Sequence, residues 1–242
     1  MFVMQGEKIQ SILKAPSKQD LPFFCPGTAL SVWILECSEL TEQESMQVAK
    51  AAELCTEVIL ADYYQSVLFL FLKDSGDRLL LQKDLEGVLP VGVVPAVFYH
   101  IRTAGDVQHA WFLFPNSAAA KLILPQQTCL MADDLEFARM CQQILAAGNS
   151  EKEIKCLTEP LAEKGDVTDL LETVTAYLLD CQRSVQKTAE MLFVHRNTIK
   201  YRLKSVSERF GFPVGQMPAS YRIYLAAALR RLKNAESTAA EK

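Results

Sequence analysis

The sequence predicts a multi-domain α+β protein, in which an N-terminal α/β layer domain precedes an all-α helix-turn-helix domain. Strand-like and helical segments alternate over roughly residues 28–127, an order typical of α/β layers. Two helices joined by a tight turn follow between Ser184 and Phe210. Charge divides the chain in the same way: residues 183–233 hold eleven Lys and Arg against two Glu, a net charge of +9. The whole chain is −4, which leaves −13 elsewhere.

Composition limits the class of protein. With 242 residues, half of them hydrophobic, the chain can fill one large core or two ordinary ones. A membrane helix needs about 20 apolar residues, and the longest apolar runs, 67–72 and 89–99, are shorter or broken by Pro and Gly. We therefore expect no membrane span, and the N-terminus shows no signal-peptide pattern. Seven scattered cysteines without a C-x-x-C pair predict reduced thiols and a cytoplasmic location.

The sequence lacks the common catalytic and cofactor motifs. Three histidines give poor support for a zinc site, and there is no P-loop, G-x-G-x-x-G, G-x-S-x-G or H-E-x-x-H pattern. We expect no enzyme activity, no cofactor and no metal.

The N-terminal part shows a regular order of elements. Helices are predicted at Glu7–Leu13, from Thr41 to Cys55 with Glu44 completing a capping box, at Arg78–Leu85, and from Gly105 with Val107, Ala110 and Trp111 inward. Strands are predicted at Ala29–Cys37, Glu57–Asp62, Ser66–Lys73, Val91–Arg102 and, as a short piece, Lys121–Leu124. A helix over Ala132–Ala147, ended by Gly148, leads towards the C-terminal part.

The segment from Ser184 to Phe210 carries the functional signal. Ser184 is a suitable N-cap for a first helix, and the turn at Phe193–His195 places Val194 between the helices. The second helix has an apolar stripe at spacings of 4, 3 and 4, made of Ile199, Leu203, Val206 and Phe210. Cations and hydrogen-bonding side chains lie on or beside its opposite face, as in a recognition helix. An ordinary solvated surface helix would show the same periodicity, so the charge and the Ala189–Val194–Ile199 spacing are needed to favour DNA.

A family resemblance adds to this pattern. Residues 188–203 read T-A-E-M-L-F-V-H-R-N-T-I-K-Y-R-L. They resemble the C-terminal helix-turn-helix of the PucR/CdaR family of bacterial transcription regulators, as do the flanking segments 171–178 and 221–226. One departure is Phe193, where many such turns place Gly. In this family a degenerate GGDEF-like domain commonly precedes the DNA-binding end. The G-G-D/E-E-F signature is absent here, so no cyclase activity is expected.

Four segments follow from the pattern and the resemblance. Residues 1–130 are expected to form an α/β regulatory or dimerisation domain, residues 131–165 a helical linker, residues 166–234 the PucR-type DNA-binding domain and residues 235–242 a flexible tail.

We assign DNA-contacting roles by residue type. Arg196 and Asn197 are expected at base edges, because Arg pairs with guanine and Asn with adenine in bidentate fashion. The remaining candidates are Lys200, Tyr201 and Lys204 for bases or phosphates, Thr198 and Ser184 for phosphates, Arg202 for a phosphate or for bracing the first helix, and His195 as a turn residue or a base contact.

The expected function is sequence-specific regulation of transcription. The expected partners are double-stranded DNA and a second copy of the chain, since a dimer reads two half-sites, with a possible small-molecule effector at the α/β domain. The resemblance implies metabolic target genes. Two alternatives remain at this point: a nucleoid-type architectural protein, and a small-molecule sensor whose α/β domain carries the main activity.

Overall fold

The structure, a computed structural model, describes residues 6–25, 27–38, 58–73, 93–162 and 167–240, with isolated positions between 41 and 54. The chain divides into two compact units, Met1–Ser117 with Thr128–Glu136, and Ala118–Gln127 with Phe137–Lys242. The predicted domain boundaries at residues 130, 165 and 234 stay predictions. The predicted fold class is confirmed, because a mixed unit with a five-stranded sheet precedes an all-helical C-terminal region.

The first unit is built on the sheet. Its strands are β1 (Leu30–Glu36), β2 (Val58–Tyr64), β3 (Val67–Lys73), β4 (Ala96–Tyr99) and β5 (Leu130–Met131), in the order β2-β3-β1-β4-β5. β3 runs antiparallel to both β2 and β1, and β4 runs antiparallel to β1 and parallel to β5. β1 and β2 are therefore parallel with β3 between them, which is a split β-α-β arrangement.

Both faces of this sheet are covered, which explains why β1 and β3 are apolar almost throughout. One face buries Trp33, Leu70 and Val97, against which Val48 and Ala52 pack. On the other face, Phe69 contacts the Trp111 ring of α2 (Ala104–Leu113) at a centroid distance of 5.5 Å. Strands buried on both faces lack the period-two alternation of half-exposed strands.

Two carboxylates fix helix starts in this unit. Asp62 on β2 is fully buried, and its two oxygens accept the amides of Gly6 and Ile9 at 3.0 Å each. It thereby caps α1 (Glu7–Lys14) from a distant part of the chain. At the start of α2, Thr103 and Asp106 form a capping box, in which each side chain accepts the other residue's backbone amide.

The second unit is helical. Its elements are α3 (Ser117–Ile123), α4 (Ala132–Ala146), which begins in the first unit, α5 (Ser150–Ala162), α6 (Val167–Thr175) with a π-helical turn (Ala176–Asp180), α7 (Val185–Met191), α8 (Arg196–Phe210) and α9 (Tyr221–Ala240). α9 packs along α5 and adds the ion pairs Arg222–Glu153 and Lys233–Glu151. Leu225, Leu229 and Leu232 of α9 are buried in this unit. This apolar stripe of α9 therefore belongs to the core of the unit.

The structure corrects two sequence-based elements. Lys121–Leu124 is not a strand: Ser117–Ile123 is a helix, because its run of three alanines favours helix. Within the described residues 93–102, the strand expected over Val91–Arg102 is β4 only, and it begins after Pro95, which has no amide to donate to a ladder. α9 itself extends to Ala240 over a segment rich in Ala. The helix predicted at Arg78–Leu85 lies outside the described residues.

Within the described ranges, no helix combines the length and the apolar character needed to cross a membrane. The same residues hold no group of three or more His, Cys, Asp and Glu placed to bind a metal ion.

Candidate nucleic-acid interface

The first helix of the motif, α7, starts as the sequence predicts. Ser184 adopts an extended backbone, and its hydroxyl oxygen accepts the amide of Lys187 at 3.3 Å. Its carbonyl accepts the hydroxyl of Thr188 at 2.7 Å, so both ends of the residue are engaged in the first turn. The first bond gives a partner to an amide of the first turn that would otherwise lack one. Together the two bonds fix where α7 begins.

The turn between the two helices is a Schellman motif. The Val194 amide donates to the Ala189 carbonyl at 3.1 Å and the Phe193 amide to the Glu190 carbonyl at 3.3 Å. This bonding pattern requires a left-handed residue at the position of Phe193, and Phe193 has φ 53° there. Ala189 is buried and Val194 half-buried, so the small side chain and the turn valine occupy the space between α7 and α8 as expected.

The second helix of the motif, α8, is defined at both ends. His195 is its N-cap, because its Nδ1 accepts the Asn197 amide at 3.2 Å. The helix ends at Gly211, whose φ of 75° is the left-handed conformation that glycine adopts at little cost. The helix therefore spans fifteen residues, about 22 Å at 1.5 Å per residue.

Two stripes with identical spacing run along α8. Ile199 and Val206 are fully buried, and Leu203 and Phe210 are half-buried with them. A second stripe has the same 4, 3 and 4 spacing but starts two residues earlier, which places it about 200° around the helix. Its members are Asn197, Tyr201, Lys204 and Glu208. The apolar stripe thus anchors the helix and leaves the polar stripe outward.

Most of the predicted contact residues lie together on this outward side. Arg196, Asn197 and Lys200 are exposed. The Tyr201 residue is 75% exposed and the Lys204 side chain 76%. His195 is exposed next to them, while Thr198 and Ser184 are half-buried. Glu208 ends the stripe, with its Oε1 3.8 Å from Lys204 Nζ.

Arg202 lies apart from this group. Its guanidinium is mostly buried, with 18% of the side chain exposed. It donates to the Asp169 carboxylate and, at 3.3 Å, to the Thr173 hydroxyl, both on α6. Of its two expected roles the structure shows bracing, although the braced helix is α6 and not α7. Arg209, on the same flank of α8, donates to the Leu161 carbonyl at 2.7 Å.

The chain enters α7 from a π-helical turn that is held by a buried ion pair. The Asp180 side chain is fully buried and binds both terminal nitrogens of the Arg231 guanidinium, with Nη1–Oδ1 at 2.7 Å. Arg231 Nη1 also donates to the Ile123 carbonyl at 2.7 Å. Next in the chain, burial raises the pKa of the Cys181 thiol, which keeps it a neutral core group.

Sequence reasoning missed two exposed cations near the Ser184 cap. Arg183 and Lys187 flank the start of α7, where the first helix of such a motif crosses the DNA backbone. Their charge is part of the net +9, but neither residue was assigned a contact, although both flank the predicted cap. The sequence also shows Phe193 as a departure from the usual turn, but it does not show that this residue is 95% exposed.

Comparison with known proteins addresses the C-terminal part of the chain. The PucR C-terminal helix-turn-helix domain family matches residues 170–229. An uncharacterized protein of Mycobacterium tuberculosis is 30% identical over 122 residues, which are 50% of this chain and 25% of that protein. The purine catabolism regulatory protein of Bacillus subtilis is 34% identical over 92 residues, 37% of this chain and 17% of that protein. The chain thus spans a quarter or less of the length of these relatives.

Among solved structures, a regulator of polyketide synthase expression from Bifidobacterium adolescentis aligns with 93% of this chain and 91% of its own. The identity is 17% and the TM-score 0.40, too low for any conclusion about fold or function. The family match instead covers α7, the turn and α8, together with most of α6 and the first part of α9. Residues 170–229 of this chain are therefore similar to the PucR C-terminal helix-turn-helix domain.

Proposed function

We propose that the protein is a sequence-specific DNA-binding regulator of transcription, located in the cytoplasm at the nucleoid, and that it has no enzymatic activity. The observation that carries this proposal is the sorting of polar groups on α8. Arg202 and Arg209, on one flank, are used in bonds to other helices. The outward stripe beside them presents an amide, a phenol, an ammonium group and, at its end, a carboxylate to solvent.

This arrangement suits a major groove. α8 would enter by its N-terminal end, so Arg196 and Asn197 are the side chains placed to reach base edges first. Lys200 and Lys204 lie further along and would neutralise phosphates or contact bases. Glu208 closes the outward stripe and would repel phosphate, which limits the reading surface to the first three turns of the helix.

Selection of DNA fragments by the purified full-length protein, at near-physiological salt, tests the proposal. Arg196→Ala and Asn197→Ala should each lose about 1–3 kcal/mol on the selected site and little on random DNA. Lys204→Ala should weaken both alike if it contacts phosphate. Lys233→Ala is the matched control, since it removes the same charge from α9. Equal losses on both DNAs for all the α8 variants would refute specific readout and favour an architectural protein.

We further propose a homodimer that reads two half-sites about one DNA turn apart. A single helix-turn-helix offers few base contacts, so two copies are needed for useful specificity. The α9 stripe is buried within the protomer, which leaves the first unit, GGDEF-like by family resemblance, as the proposed dimer contact. Light scattering of the free protein and of its complex would give the stoichiometry, and one protomer per selected site would refute this part.

An effector site in the first unit is supported by a cavity of about 610 Å³. It lies between α1, the segment 19–23 and the start of β2, with Ile12, Phe23 and Leu60 among its apolar walls. Lys8 and Asp20 supply charges at this site, a combination typical of small-molecule pockets. We propose metabolic genes as the targets, because a small-molecule effector would report the state of metabolism to the regulator. Ile12→Trp, which fills the cavity, should abolish any effector response without changing DNA binding by the effector-free protein.

A further inference from the structure

We infer that the Phe193 ring is a DNA-contacting group that reads the 5-methyl of a thymine beside the bases read by Arg196 and Asn197. This inference rests on the proposed function. It assigns a contact to a turn residue that the sequence analysis left without a role.

The backbone at Phe193 favours a different residue. Its φ of 53° is left-handed, a conformation that costs a non-glycine residue about 1 kcal/mol or more. The same chain places glycine in this conformation at the ends of α4 and α8, where Gly148 has φ 72° and Gly211 φ 75°. Gly would serve the Schellman turn at 193 equally well.

The Phe193 side chain contributes almost nothing to packing within the protomer. Phe193 is 95% exposed, more than any other large apolar residue in the described part of the chain. Its ring buries almost no area within the protomer, so the hydrophobic stabilisation normally gained from a phenylalanine is missing. Backbone strain and an exposed ring at one position are accounted for if the ring is buried in a complex.

Position identifies the partner in that complex. Phe193 lines one concave surface together with His195, Arg196 and Asn197. This surface adjoins the N-terminal end of α8, the end proposed to enter the major groove. The only apolar group that base edges present in that groove is the thymine methyl, and phenylalanine is among the residues that contact it.

The probe is the duplex selected by the wild-type protein, made once with thymine and once with deoxyuridine at each thymine of a half-site. Deoxyuridine lacks only the 5-methyl group. Wild-type affinity should fall about fourfold at one such position, the value for losing one buried methyl-sized group. Phe193→Gly should bind the thymine duplex about tenfold more weakly and should show no difference between the two duplexes.

Stability provides a second readout with the opposite sign. Phe193→Gly relieves the left-handed strain, so its thermal midpoint should equal or exceed that of the wild type. Phe193→Asn, which also tolerates this conformation, is a second variant in which the ring is absent. Leu122→Ala, which truncates an exposed leucine on α3, is the matched control and should keep the wild-type dependence on the methyl group.

The outcomes separate the two proposals. If Phe193→Gly and Phe193→Asn bind as the wild type does, or lose equal affinity on both duplexes, the thymine contact is refuted while specific DNA binding stands. If the wild type selects no motif, the proposed function fails and this inference fails with it. A selected half-site in which no thymine methyl matters also refutes the contact.

Discussion

The ion pair between Asp180 and Arg231 should be the strongest single polar contribution to the second unit. Asp180 is fully buried, and the Arg231 side chain is 23% exposed. Removing one partner of a buried pair costs about 3–5 kcal/mol, because the remaining charge is left without compensation. Arg231 keeps its bond to the Ile123 carbonyl and some access to water. We therefore expect a value near the lower end, about 3 kcal/mol, for Asp180→Ala.

The double variant Asp180→Ala/Arg231→Met tests the electrostatic cause. It removes both charges and fills part of the space with an apolar chain, so most of the loss should be recovered. Lys233→Ala is the matched control on the same helix. Its partner Glu151 is 70% exposed at the side chain, so the loss should be much smaller than that of Asp180→Ala, because water screens the pair.

Urea unfolding followed by far-ultraviolet circular dichroism would measure these differences. Both tryptophans, Trp33 and Trp111, lie in the first unit, so their fluorescence reports that unit by itself and shows whether a change is confined to the second. A loss for Asp180→Ala no larger than that for Lys233→Ala would refute the reasoning. So would a double variant as unstable as Asp180→Ala.

Three further predictions concern the first unit and the cysteines. Asp62→Ala leaves two buried amides at the start of α1 without an acceptor and should cost about 2–4 kcal/mol in the fluorescence-detected transition; Asp62→Asn, which keeps an acceptor, should cost less, and equal losses would contradict the capping role. Burial alone would raise the pKa of the Asp106 carboxyl. The hydrogen bonds from Thr103 and from the Arg102 amide outweigh burial, so the pKa lies below its usual value. The stability that Asp106 adds over Asp106→Asn should therefore be constant at neutral pH and shrink as pH falls below about 4; a difference that grows in acid would contradict this sign. Burial raises the pKa of the Cys141 thiol to about 12, so iodoacetamide should label exposed Cys25 well before Cys141, as mass spectrometry would show.

The helix-turn-helix could be predicted to the residue because its signals are local. Ser184 and Gly211 act on amides and carbonyls within four residues, and the stripe through Ile199 and Val206 depends only on helical period. The prediction of which face of α8 is buried was correct for that reason. Phe193 was correctly placed in the turn, but its exposure depends on what surrounds it, which spacing alone does not give.

Contacts between distant segments could not be predicted. Asp62 caps a helix that begins 55 residues earlier in the chain. Arg202 binds Asp169, which lies 33 residues earlier. The sequence allowed Arg202 two roles, a phosphate contact or bracing of the first helix, but it could not identify α6 as the helix that Arg202 binds. The short helix over Ser117–Ile123 was mistaken for a strand because seven residues with Leu and Ile give no clear period.

The cap at His195 also fixes what that side chain can recognise. While Nδ1 accepts the Asn197 amide, the proton of the neutral ring must reside on Nε2. The Nε2 edge of the imidazole is then a hydrogen-bond donor. It can pair with guanine N7 or O6, with thymine O4 or with a phosphate oxygen, and it cannot pair with the amino group of cytosine. Because the neutral ring displaces no counterion, such a contact would hold its strength as salt rises, in contrast to those of the neighbouring cations.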